Sequence, residues 1–112
     1  MLAVEIIKDV RGILNDRALP YRWTDEDLLA YLGQGQRLIA SKRPDAVLSA
    51  AGTVTLAPAS PTSTASTLAV GAMWAAALAD YVVGRAFQMD AEHAEVASRA
   101  KLHLDQFTAA LT

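Results

Sequence analysis

The sequence predicts an all-α fold, a small bundle of about four helices whose last two form an antiparallel hairpin. Three observations predict it. Apolar residues recur at spacings of three and four in separate segments. Helix start and stop signals bracket those segments. Charge divides the 112 residues into three parts: residues 1–45 carry seven basic and seven acidic residues, residues 46–79 carry none, and residues 80–112 carry three basic and five acidic. The length suits a single domain. Its parts are N-terminal helices over 1–44, a flexible connector over 45–67 and a C-terminal helical hairpin over 68–112.

The first helical segment runs from about Leu2 to Asn15. Ala3, Ile7, Val10 and Leu14 form an amphipathic stripe that Ile6 and Ile13 widen. Glu5 suits the positive end of the helix dipole, and Asn15-Asp16 followed by Pro20 ends the segment.

The second segment starts at Trp23-Thr24-Asp25-Glu26-Asp27. Thr24 is a cap with an acid three residues on, a variant of the capping box. Leu28, Leu32, Gly35 and Ile39 follow at helical spacing, with Leu29, Gln36 and Arg43 on a neighbouring row. Lys42 and Arg43 complement the last turn, and Pro44 closes it. Gly33 and Gly35 inside a helix each cost about 1 kcal/mol relative to Ala. Close approach by another helix explains them, or else a local kink.

The connector carries an alternating Thr53-Val54-Thr55-Leu56 that fits one short strand. Ala57-Pro58-Ala59-Ser60-Pro61 breaks it, and Thr62 to Thr67 reads as a flexible loop. The third segment, Leu68 to Gln88, is apolar nearly all round, as a central buried helix is. Ala76, Asp80 and Gly84 form a small-residue row, and Tyr81 and Arg85 share a face. The fourth segment starts with Asp90 as its cap and Glu92 in its first turn. Ala97, Ala100, Leu104, Phe107 and Leu111 make a coiled-coil-like seam. The short gap before it predicts the hairpin.

Composition excludes several function classes. With 53% hydrophobic and 20% charged residues the chain is not a disordered polyampholyte. A net charge of -2 disfavours a dedicated binder of nucleic acid or anionic membrane. The absence of cysteine removes disulfide frameworks, zinc ribbons and thiol nucleophiles. Acids among the first ten residues are unlike a secretory signal. The uncharged stretch from Ala46 to Ala79 is broken by Gly52, Pro58 and Pro61 and reads as a linker and a core helix, not a membrane span.

Catalytic and metal chemistry find little purchase. On one helix, His93 and His103 would point about 80° apart and lie about 15 Å apart along the axis, so they cannot share a metal. No nucleophile elbow surrounds any serine. Gly33-Gln34-Gly35 lacks the strand and further glycines of a phosphate loop. Asp80 in an apolar helix is unusual; a structural ion pair with Arg85, or with an arginine of another helix or subunit, explains it better than an active-site role. Arg37, Lys42 and Arg43 could touch DNA, but last-turn cations have an ordinary explanation. No catalytic residue, metal or cofactor is expected, and the protein is not expected to be an enzyme.

Two blocks carry a family resemblance. The first is Tyr21-Arg22-Trp23-Thr24-Asp25-Glu26-Asp27-Leu28-Leu29-Ala30-Tyr31-Leu32, continued by Gly35-Gln36-Arg37-Leu38-Ile39 and Arg43-Pro44-Asp45-Ala46. The second is Ala79-Asp80-Tyr81-Val82-Val83-Gly84-Arg85-Ala86-Phe87-Gln88-Met89-Asp90-Ala91-Glu92-His93-Ala94, with Ala97-Ser98-Arg99-Ala100 and Phe107 beyond. In order and length these resemble the adaptor (head–tail connector) proteins of tailed bacteriophages. The chain departs from that pattern in the middle, where many relatives carry a larger β-rich section, and at Gly33 and Gly35.

The resemblance implies a structural virion protein at the head–tail junction, present in the host cytoplasm during assembly. Such adaptors form a homo-oligomeric ring, in most cases twelve-fold, beneath the portal protein. They extend the DNA channel, lie near DNA without specific contact, and meet a tail or neck protein on the other side, with no membrane involved. The expected interface residues are Trp23, Arg37, Arg43, Asp80, Arg85, Phe107 and Leu111. Phe107 and Leu111 are the docking candidates for the portal. Trp23 serves either as a staple at the start of the second segment or as a hot spot. The competing reading is a small soluble helical module that binds one partner by a helix-in-groove contact.

Overall fold

A computed structural model describes residues 1–16, 22–47, 58, 60–89 and 94–111. Among them are four α-helices: α1 (Ala3–Leu14), α2 (Asp25–Lys42), α3 (Ala75–Met89) and α4 (Ala94–Ala110). Short 3-10 turns cover Pro44–Val47 and Ala72–Trp74. An isolated antiparallel bridge joins Leu2 and Thr67, and the described residues contain no longer strand. No described helix is long and apolar enough to cross a membrane. The fold is the all-α bundle the sequence predicts. The cap at Asp90 with Glu92, the residue His93 and the strand at Thr53–Leu56 lie outside the described residues.

In α1 the buried stripe is Ala3, Ile6, Ile7, Val10, Arg11 and Leu14. Ile13 departs from expectation: it is 50% exposed, because the stripe passes through Arg11 and Leu14 instead. Asn15 ends the helix in the left-handed conformation, φ 56°. The Asp16 amide donates to the Arg11 carbonyl at 2.9 Å and the Asn15 amide to that of Gly12 at 3.3 Å. That is the Schellman arrangement, and it satisfies two terminal carbonyls.

In α2 the Thr24 hydroxyl accepts from the Asp27 amide at 3.1 Å, as the cap signal predicts. Leu28, Leu32, Gly35 and Ile39 are buried. After the helix, Pro44 does more than stop the chain: it opens the 3-10 turn that buries Ala46 and Val47.

The third segment starts later than its apolar content predicts. Leu68 and Val70 are buried but not helical, and α3 begins at Ala75. The reason lies in backbone partners far along the chain. The Leu68 amide donates to the Met1 carbonyl at 2.8 Å and the Gly71 amide to that of Ala46 at 3.3 Å. The Ala69 amide donates to the buried Gln36 Oε1 at 2.7 Å. A helix begun at Leu68 would leave the Leu68 and Ala69 amides without an intrahelical partner in any case; the Gly71 amide is the one it would use, and the Ala46 carbonyl holds it instead.

The stretch before it is also tied down, where the sequence reads as a flexible loop. The Ala3 amide donates to the Ser66 carbonyl at 2.9 Å and the Val4 amide to that of Thr64 at 2.8 Å. The first amides of a helix have no partner within it, so this end of the connector caps α1 in place of a side chain.

From Ala75 onward α3 is the central helix, packed against α1, α2 and α4. Leu78, Val82, Val83 and Ala86 are fully enclosed. Asp80 meets His103, Tyr81 meets Phe107 and Gly84 meets Leu104 and Ala100. Partners deeper into α3 tend to lie earlier in α4, so the two helices run antiparallel. Of the expected α4 seam, Ala100 and Phe107 are buried and Leu104 and Leu111 partly so. Ala97 is exposed, and Val96 takes the inward position one residue earlier.

Within α2, glycine permits two close approaches. A Cβ on Gly35 would lie 2.7 Å from Leu78 Cδ1 and 2.9 Å from Tyr81 Cδ1, so α2 and α3 approach there as expected. A Cβ on Gly33 would overlap the Ser60 side chain and lie 2.7 Å from its Cα, so Gly33 makes room for the connector and not for a helix.

Candidate protein interface

Three polar assemblies tie the helices and their corners together. The first joins α1 to α2. Arg11 gives Nη1 to Asp16 Oδ2 at 2.8 Å and to the Trp23 carbonyl at 3.0 Å, and Nη2 to Asp25 Oδ1 at 2.6 Å. Asp16 in turn accepts from the backbone amides of Arg22 at 2.9 Å and Trp23 at 3.2 Å. Arg11 and Asp16 are both buried. Sequence reasoning missed this pair as a unit. The signal was there: Arg11 sits four residues after Ile7, inside the apolar stripe. Trp23 is buried at the start of α2, with the Arg22 guanidinium 5.2 Å above its ring. It packs the core and presents no free aromatic face.

The second assembly is the corner Arg43-Pro44-Asp45-Ala46. Arg43 Nε and Nη2 donate to the two oxygens of Asp45 at 3.1 and 3.2 Å. The guanidinium also lies 5.2 Å over the Trp74 ring. The Arg43 hydrogen bonds hold the Asp45 carboxyl below its ordinary range, and the carboxylate raises Arg43 in return. Every residue of this short motif has a local structural job, and Arg43 is engaged without any outside partner.

The third assembly joins α3 to α4. Asp80 Oδ1 lies 2.9 Å from His103 Nδ1, with both side chains largely buried. The expected pair of Asp80 with Arg85 within the chain does not form. Their five-residue spacing turns them to different sides of α3, and Arg85 Nη1 donates instead to Gln88 Oε1 at 2.8 Å.

Arg37 and Arg85 come together with Gln34, Leu38 and Tyr81 in a shallow recess between α2 and α3. The Tyr81 hydroxyl donates to Gln34 Oε1 at 3.1 Å. Arg37 Nη1 reaches the Pro58 carbonyl at 3.3 Å and Ser60 Oγ at 3.2 Å, anchoring the connector. Arg85 lies 5.8 Å from the Tyr31 ring centre. Burial pushes both Tyr31 and Tyr81 hydroxyls up; Arg85 counters at both, and Arg37 at Tyr81. Both arginines were singled out from the sequence, but their meeting was not legible there.

Phe107 is 5% exposed, its ring 4.9 Å from that of Tyr81, so it belongs to the hairpin's interior. Leu111 packs against the same core from the end of α4. Phe107 therefore lacks the free apolar side chain expected of a docking residue, and Leu111 is only partly covered. The described residues hold no cluster of three or more histidine or carboxylate side chains able to bind a metal. In comparisons with protein-family models, curated proteins and solved structures, nothing matches this chain.

Proposed function

We propose that the protein is a non-enzymatic, ring-forming adaptor that joins a phage head, through its portal, to the tail or neck. The observation that carries the reading is the ordered pair of sequence blocks, Tyr21 to Ala46 and Ala79 to Phe107, with Arg43-Pro44-Asp45-Ala46 closing the first. Several features support it. The first block covers α2 with its cap and corner, and the second covers most of the α3–α4 hairpin. The net charge of -2 suits a channel wall that must let DNA slide past without gripping it. Phe107 and Trp23 pack inside, so contacts with portal and tail proteins fall to other exposed side chains such as Met73 and Leu102.

The test is the particle mass of the purified protein by native mass spectrometry, alone and mixed with the portal protein of the same genome. The expected result is a ring-like number of copies added to each portal ring. A stable monomer or dimer that ignores the portal overturns the reading and leaves the groove-binding helical module in its place.

A further inference from the structure

Two unlike grooves flank α3. One, between α1 and α3, is lined by Asp9, Ile13, Ala76, Ala79 and Asp80 among others. The other is the recess of Gln34, Arg37, Leu38, Tyr81 and Arg85 between α2 and α3. At about 100° per residue, Ala76, Ala79 and Asp80 lie roughly half a revolution around α3 from Tyr81 and Arg85. The first groove has only acidic charges and the second only basic ones. Each carries one half-exposed aliphatic side chain, Ile13 at 50% and Leu38 at 43%.

We infer that the two grooves are the halves of one head-to-tail contact between copies of this chain. The Arg37–Arg85 recess of one copy receives the Asp9 carboxylate of the next, and Ile13 packs on Leu38. The inference rests on the ring-forming reading above and names the surfaces that build the ring.

The arginines carry the argument. A guanidinium has five N–H donors. Among the described residues, Arg85 has one acceptor, Gln88, and its Nε is buried with none. Arg37 uses Nη1 on two neutral oxygens. Neither has a carboxylate partner among the described residues, whereas Arg11 and Arg43 both do. Two partly buried arginines that line one recess gather positive charge there, and a carboxylate entering it would relieve that with charge-assisted hydrogen bonds. Asp9 is exposed and has no ion-pair partner among the described residues. A DNA phosphate is the other oxyanion the recess could take. The Leu38 wall and the net charge of -2 favour a protein carboxylate. Because the halves sit on different sides of α3, the contact is heterologous and propagates; a self-complementary patch would stop at a dimer.

The chain has no cysteine, so introduced ones report cleanly. Full-length Ile13→Cys and Leu38→Cys proteins are mixed under mild oxidation, alone and on the portal. The expected product is the mixed disulfide in excess over either homodimer, and a ladder of oligomers from the doubly substituted chain. Arg85→Glu or Asp9→Arg should lower the yield at least tenfold, and the two together should restore it. If Arg85→Glu does not fold, as judged by helical circular dichroism, Arg85→Gln is read instead and should lower the yield severalfold. Homodimers alone, or crosslinking indifferent to these substitutions, overturn the inference. So does loss of DNA retention with crosslinking unchanged, which reassigns the recess to phosphate. Rings on the portal that ignore both charge reversals overturn it while leaving the adaptor reading intact. A protein that never self-associates, alone or on the portal, overturns both.

Discussion

The Arg11 guanidinium and the Asp16 carboxylate meet at 2.8 Å with both side chains less than a tenth exposed. The left-handed turn at Asn15 places Asp16 there, and the same turn directs its amide to the Arg11 carbonyl. One residue pair therefore fastens the end of α1 twice, through backbone and through side chains, and reaches on to the start of α2 through Trp23 and Asp25.

Breaking a buried ion pair by removing one partner leaves an uncompensated charge and costs about 3–5 kcal/mol. Asp16→Ala should therefore destabilise the fold by roughly that amount in urea denaturation, since the Arg22 and Trp23 amides lose their acceptor as well. Asp25→Ala, at the more exposed end of the network, should cost about 1 kcal/mol or less. Equal effects from the two substitutions would contradict the assignment of Asp16 as the keystone.

Alanine is the better helix former by about 1 kcal/mol, so an exposed Gly→Ala change inside a helix stabilises. At Gly33 the new methyl would have to displace the Ser60 backbone, and at Gly35 it would press on the Tyr81 ring. Overpacking of that kind costs about 1–3 kcal/mol. Both substitutions should lower the thermal midpoint. Gly33→Ala should also speed proteolysis near Ser60, where Arg37 loses its anchor; Gly35→Ala should not.

Tyr81 predicts a limit at alkaline pH. Burial raises its hydroxyl above the ordinary 10.0 in the folded chain. Below that value both folded and unfolded forms hold the proton, and stability is at its full level. As pH rises past 10.0 the unfolded chain ionises first, and stability falls until the folded hydroxyl ionises too. Tyrosinate absorbance should show part of the tyrosine titrating late. Tyr81→Phe should flatten the fall of stability with pH while losing the hydrogen bond to Gln34.

Local signals in the sequence were legible because their partners are local. Thr24 caps α2 through an amide three residues on, and the α1 and α2 stripes follow helical spacing. Other features depend on distant chain and were not legible. The stretch ahead of α3 is held by Met1, Gln36 and Ala46, none near it in sequence. The partner of Asp80 is His103, 23 residues away, chosen by the hairpin register and not by helical spacing. The candidate interface shows the same division. Arg85 stands out as a charge on an apolar helix and Arg37 as a cation in the later part of α2, but only the packing of α2 on α3 brings them into one recess. Phe107 stands out as an aromatic on a seam, and only the register shows that Tyr81 already covers it.

The bridge between Leu2 and Thr67 also bears on the order in which the molecule folds. Closing a loop of about 65 residues carries an entropic cost of roughly 3–4 kcal/mol beyond a constant. The α3–α4 hairpin closes over only a few residues and makes the densest contacts of any helix pair. The hairpin is therefore the natural nucleus, and the first turn of α1 docks late, when the rest has formed. Interactions made after the transition state govern how fast a protein opens and leave its rate of formation nearly unchanged. The few hydrogen bonds that tie Met1, Ala3 and Val4 to Leu68, Ser66 and Thr64 thus act as a latch: they set the lifetime of the folded chain, not the speed of its folding.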